Sequence, residues 1–149
     1  MSAKGIKTVQ SIPSLNVAKY MGRWYQIKAI PKWFQEGCNN VVAEYKLKKD
    51  HIAVKNSCRQ DGELKVAEGK AYPANKGKSQ LKVDFVGGRL FEGDYWVLYT
   101  DYNVALVGTP DKESLWILSR NPTIKKSDLQ KLEHIAKNQG FDISKLERQ

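Results

Sequence analysis

The feature that most constrains this chain is a period-two alternation of apolar and polar residues, repeated in short runs. Val41, Ala43, Tyr45 and Leu47 alternate with Val42, Glu44, Lys46 and Lys48. Ile52, Val54, Asn56 and Cys58 alternate with Ala53, Lys55, Ser57 and Arg59, and Leu81, Val83 and Phe85 with Lys82 and Asp84. Successive side chains on a strand point to opposite faces, so each run predicts a strand with one apolar and one wetted face. Strands of this kind belong to antiparallel sheets. Eight are predicted, at about 23–30, 40–48, 51–59, 63–74, 79–86, 94–100, 103–109 and 115–121. Turn signals separate them at Lys49-Asp50, Asp61-Gly62, Asn75 to Gly77, Gly87-Gly88, Asp101 to Asn103 and Pro110-Asp111. Short strands joined by tight turns fit an all-β fold, an up-and-down antiparallel barrel closed on itself.

One helix is predicted at 127–139. Ser127 is placed to cap it, with Gln130 three residues on as a capping box requires. Leu129, Leu132, Ile135 and Ala136 form its apolar stripe, and Gly140 its stop. The last three predicted strands are apolar on both faces: Trp96, Val97 and Leu98; Val104 to Val107; Trp116 to Leu118. A strand covered by barrel interior on one side and by the helix on the other reads this way, so the helix packs outside. All 149 residues form one predicted domain, with 1–14 as a flexible N-terminus.

A net charge of +9 favours anionic partners, such as fatty-acid carboxylates, phosphates or acidic membrane surfaces, although scattered lysines also serve solubility. Eight strands exceed the five-stranded oligonucleotide-binding barrel, and their apolar faces point to a greasy interior, so nucleic acid is not expected as a partner. The two histidines, His51 and His134, show no metal-ligand spacing, and Gly88 to Gly93 is followed by Asp94-Tyr95 rather than the Lys-Ser/Thr of a phosphate loop. Nothing assembles a nucleophile, a base and an orienting group. No catalysis, metal or cofactor is expected.

Three short motifs stand at corresponding places in the strand order. Gly22-Arg23-Trp24 opens the first strand, Thr100-Asp101-Tyr102 forms the turn after the sixth, and Arg120 ends the eighth in Trp116 to Pro122. Together they resemble the three conserved blocks of the lipocalin family. Gly22 to Tyr25, Glu68 to Ala71 and Trp116 to Pro122 are most similar to its bacterial and apolipoprotein D-like branch, over about 15–141. In an up-and-down barrel strand direction alternates, so all three motifs fall at one end. The resemblance implies that this end is closed, with Arg120 packed across Trp24, and gives Gly22, Trp24, Asp101, Tyr102 and Arg120 a structural role.

The same resemblance implies a calyx that binds a small hydrophobic ligand, with contacts at Tyr45, Asn56 and Trp96. Strand parity adds Val54, Val83 and Phe85 as lining, and Trp96 and Leu98 are the inward choice on the sixth strand. Fatty acid or lysophospholipid is the expected ligand class, its head group helped by basic residues such as Arg59 and Arg89. Loop residues Trp33, Phe34, Leu90 and Phe91 are expected at the open mouth, where they would close over ligand, touch a membrane surface, meet a partner chain or fold back onto the rim as packing. A monomer or weak homodimer is expected. The alternatives are a lipocalin-fold enzyme and a membrane-associated protein that acts through the mouth.

Cys38 and Cys58 also fall at the open end. A disulfide between them is geometrically plausible and implies an oxidising compartment, with two free thiols in a cytosolic carrier as the alternative. Met1 to Gln10 carries no apolar signal core, and no cysteine precedes Cys38. The family's bacterial members are typically lipid-anchored at an early cysteine. The expected location is therefore periplasmic or outer-membrane associated if a signal has been removed, and cytoplasmic otherwise.

Overall fold

The computed structural model describes residues 8–30, 38–85 and 92–148, with Phe85 and Glu92 described in backbone only. The strands are β1 (Gly22–Ala29), β2 (Cys38–Leu47), β3 (Ile52–Gln60), β4 (Glu63–Pro73), β5 (Gln80–Phe85), β6 (Glu92–Thr100), β7 (Val104–Gly108) and β8 (Leu115–Ser119). Each pairs antiparallel with the next, and β1 pairs with both β8 and β2, which closes the ring. The predicted eight-stranded barrel is the fold. A ninth, two-residue strand, β9 (Glu147–Arg148), continues the sheet beside Lys28 and Ala29. It covers the part of β1 that lies beyond its pairing with β2, which ends at Tyr25. Alternation did not signal it, because two residues carry no period.

Helix α1 (Val17–Tyr20) precedes β1, capped by the Asn16 side chain, which accepts from the Lys19 N–H. Helix α2 (Lys126–Asn138) lies outside the barrel, as expected. Its Leu132 and Ala136 are fully buried against Ile27, Leu98, Leu106, Ile117 and Phe141, and Leu129 and Ile135 flank them. The expected Ser127 cap is not formed. The Leu129 N–H bonds to the Lys125 carbonyl, which makes Lys125 the first cap residue and leaves Ser127 inside the first turn, with no side-chain cap. Asp128 in that turn complements the positive end of the helix instead. Gly140 ends the helix as predicted, at a φ of +95°.

The N-terminal segment is not free from residue 9 onwards. Val9 and Leu15 are buried, and the Ile12 N–H bonds to the Val97 carbonyl. Ser79, itself buried, donates to the Ile12 carbonyl at 2.6 Å, and the Leu15 N–H bonds to the Gly77 carbonyl at 2.9 Å. Two apolar anchors and these backbone bonds offset the ordering entropy that sequence composition alone assigned to a loose tail.

Candidate functional site

At one end of the barrel the three sequence motifs converge into a plug. Trp24 is fully buried, and its indole N–H donates to the Tyr20 carbonyl at 2.8 Å. The Arg120 guanidinium lies over the indole, 3.9 Å from its ring centroid. It donates to three carbonyls, those of Lys19 at 2.8 Å, Arg23 at 2.9 Å and Tyr102 at 3.1 Å. One side chain thus ties α1, β1 and the β6–β7 turn together. Gly22 sits at φ +102°, and a Cβ there would stand 3.3 Å from the Arg120 guanidinium. Glycine is favoured on both counts.

The β6–β7 turn is built by its own side chains. Asp101 accepts from the N–H groups of Asn103 and Val104, and the Thr100 hydroxyl accepts from the Tyr102 N–H while donating to the Val104 carbonyl. This network holds Tyr102 at φ +73°, an uncommon conformation for an aromatic residue. The Tyr102 carbonyl then faces Arg120, and its hydroxyl accepts from the Asn16 N–H.

Above the plug, three phenols meet. The Tyr95 hydroxyl is 2.7 Å from that of Tyr20 and 2.8 Å from that of Tyr45. Tyr20 lies between Trp24, tilted against it at 35°, and Tyr45, on which it stacks, and Trp116 stacks on Tyr95. These rings form an aromatic floor. The walls are Val54, Ala71, Leu81 and Val83, which pack with Tyr45 and Tyr95. Asn56 shares the Val54 face of β3, opposite Ala43 and Ala67. Tyr45, Asn56, Tyr95 and Trp116 are half-buried and keep accessible surface. This inward face is apolar with a few polar handles, a composition that ligand sites generally share.

The expected inward placement of Trp96 and Leu98 is overturned. Both pack with Ile27, Leu106, Leu132 and Phe141, on the helix side of the wall. Tyr95 and Val97 face inward instead, paired with Leu81 and Val107. A β-bulge between Val97 and Tyr99 then shifts the register. A strand apolar on both faces gives parity nothing to read, which is why Tyr95 was missed. Register against the clearly alternating β5 is the signal that finds it. Tyr20 and Trp116 were missed as floor residues for a similar reason, since α1 is too short to show a helical period and β8 is apolar throughout. Leu47, counted inward by alternation, ends β2 beyond the floor and is 52% exposed. A second bulge, between Gln26 and Lys28, turns Lys28 outward, where it meets Glu133 of α2 at 2.8 Å.

Cys38 and Cys58 form a disulfide, their Cα atoms 5.5 Å apart. Arg59 lies on the outward face, whereas Lys65, opposite Cys58, shares the inward one. The expected mouth residues Trp33, Phe34, Leu90 and Phe91, together with Arg89, lie outside the described residues, as does the side chain of Phe85.

The sequence profile of the lipocalin-like domain family matches residues 15–149. The chain belongs to the lipocalin family. It is 37% identical over 147 residues to the outer membrane lipoprotein Blc of Vibrio cholerae, covering 94% of this chain and 85% of that one. Rat apolipoprotein D is 35% identical over 144 residues, covering 89% and 75%. Among solved structures, lobster apocrustacyanin A1 superposes with a TM-score of 0.77 at 25% identity, over 89% of this chain and 78% of that one. The bacterial and apolipoprotein D-like resemblance of the sequence is thereby shown.

The floor of this lipocalin carries a pH signature. Burial raises the Tyr45 phenol from 10.0 to about 12, and burial first of all lifts Tyr20 and Tyr95 well above 10.0. Above about pH 10 the unfolded chain releases these protons while the barrel keeps them, so stability falls as pH rises from there through about 12. Below pH 10 this contribution is fully present. Urea midpoints measured across alkaline pH should fall in that window for the wild type. Tyr45→Phe/Tyr95→Phe should show a shallower fall, and equal slopes would contradict the assignment.

Proposed function

We propose that this lipocalin binds a single-chain lipid, a fatty acid or lysophospholipid, inside the barrel and carries or stores it. The observation that supports this most directly is the inward set Tyr45, Val54, Asn56, Val83, Tyr95 and Trp116, an apolar face with polar handles on which Tyr45, Asn56, Tyr95 and Trp116 keep accessible surface. The acyl chain lies along Val54 and Val83 and ends above the tyrosine floor. Each buried methylene contributes about 0.8 kcal/mol, set against the cost of ordering the chain. The head group stays at the mouth, where Lys65 is a basic side chain on the inward face. The protein acts as a monomer or weak homodimer. The Cys38–Cys58 disulfide and the outer-membrane lipoprotein relative favour an oxidising compartment, such as the periplasm, beside a membrane that supplies the lipid.

Titration calorimetry with palmitic acid and with palmitoyl-lysophosphatidylcholine tests this. Wild type should take up one ligand per chain. Val54→Trp fills the channel and should weaken binding by at least about tenfold, with the far-ultraviolet circular dichroism unchanged. Equal binding by Val54→Trp, or none by wild type, would overturn the assignment.

A further inference from the structure

The three floor phenols do not balance as a closed hydrogen-bonded set. Each hydroxyl has one proton to donate. Two contacts, Tyr20 to Tyr95 and Tyr95 to Tyr45, consume two of the three. Tyr20 is 1% exposed, and among the described residues Tyr95 is its hydroxyl's one partner. A buried donor left unpaired is costly, so the Tyr20 proton goes to Tyr95. The proton left over then belongs to Tyr45 or Tyr95. Both face inward and keep accessible surface, and both pack beside Trp24 at the plug end of the barrel.

We propose that the Tyr45–Tyr95 hydroxyl pair is a hydrogen-bond donor site for an acceptor oxygen at the buried end of the ligand. The preferred lipid therefore carries a hydroxyl or ketone near its tail terminus. This rests on the reading of the barrel as a lipid carrier. A plain methyl terminus displaces whatever solvates the leftover donor and leaves it unpaired. An oxygen-bearing terminus pairs with it and recovers part of its own desolvation cost. Replacing Tyr45 alone leaves the Tyr95 proton over, and replacing Tyr95 alone leaves those of Tyr45 and Tyr20, so the site is removed only when both Tyr45 and Tyr95 hydroxyls go; the Tyr20 hydroxyl that stays belongs to a side chain 1% exposed.

The test compares palmitic acid with its ω-hydroxy analogue on wild type and on Tyr45→Phe/Tyr95→Phe. The ratio of the two affinities should shift by about tenfold towards the plain acid in the double variant, mostly through weaker binding of the hydroxy acid. A ratio that stays within about twofold of wild type would overturn the proposal while leaving the carrier function standing. Absence of binding by both acids to wild type would overturn both. A measurement on wild type alone covers the case in which the double variant does not fold. A palmitic acid bearing a ketone next to its terminal methyl should show its ketone stretch below the frequency it has in hexane. An unshifted band would overturn the proposal.

Discussion

Trp24→Ala should destabilise the barrel by about 4–5 kcal/mol, the largest loss expected from any single substitution here. Truncating a fully buried Trp costs about 3–5 kcal/mol on its own. The change also leaves the Tyr20 carbonyl without its 2.8 Å donor and strips the ring from beneath the Arg120 guanidinium. Total stability of domains this size is about 5–15 kcal/mol, so much of it would be lost. The thermal midpoint should drop by roughly 8–20 °C at about 2–4 °C per kcal/mol. Trp24→Phe keeps a ring under Arg120 but no N–H for Tyr20, and should fall between wild type and Trp24→Ala. Urea unfolding followed by circular dichroism reads all three. A loss below about 2 kcal/mol for Trp24→Ala would mean that the closed end does not hold the barrel together.

Removing the disulfide with Cys38→Ser/Cys58→Ser should cost about 3 kcal/mol. The cross-link joins residues 20 apart in sequence, and opening a loop of that length restores this much entropy to the unfolded chain. Its position matters as well as its loop length. It fastens the start of β2 to β3 at the end of the barrel opposite the plug, where β2 no longer pairs with β1. The urea midpoint of the variant should fall to that of the reduced wild type, and adding reductant should leave the variant unchanged. A wild type whose midpoint does not move on reduction would contradict this account.

The fold was legible because half-wetted strands carry their own parity. The alternating runs in β2, β3 and β5 gave the correct inward faces at Tyr45, Val54, Asn56 and Val83, and the motif positions led to one closed end. Parity failed where both faces are apolar. In β6 the inward residue is Tyr95 rather than Trp96, and the bulge after Val97 moves the register by a residue. A bulge inserts a residue against the pairing of the neighbouring strand, which the alternation within one strand does not announce. The plug was readable as three motifs, but the phenol floor was not. It is assembled from α1, β2 and β6, whose side chains meet only after the ring closes. The helix cap failed for a smaller reason: Ser127 and Gln130 have the spacing of a capping box, yet the cap position falls two residues earlier, at Lys125.

Native mass spectrometry of the purified protein, followed by lipid extraction, tests the central claim most directly, that the barrel interior is a lipid site. The account predicts one single-chain lipid bound per chain, either co-purified or taken up from added palmitic acid or lysophosphatidylcholine, and its loss in Val54→Trp. A barrel that arrives empty and stays empty with both lipids in excess would contradict it.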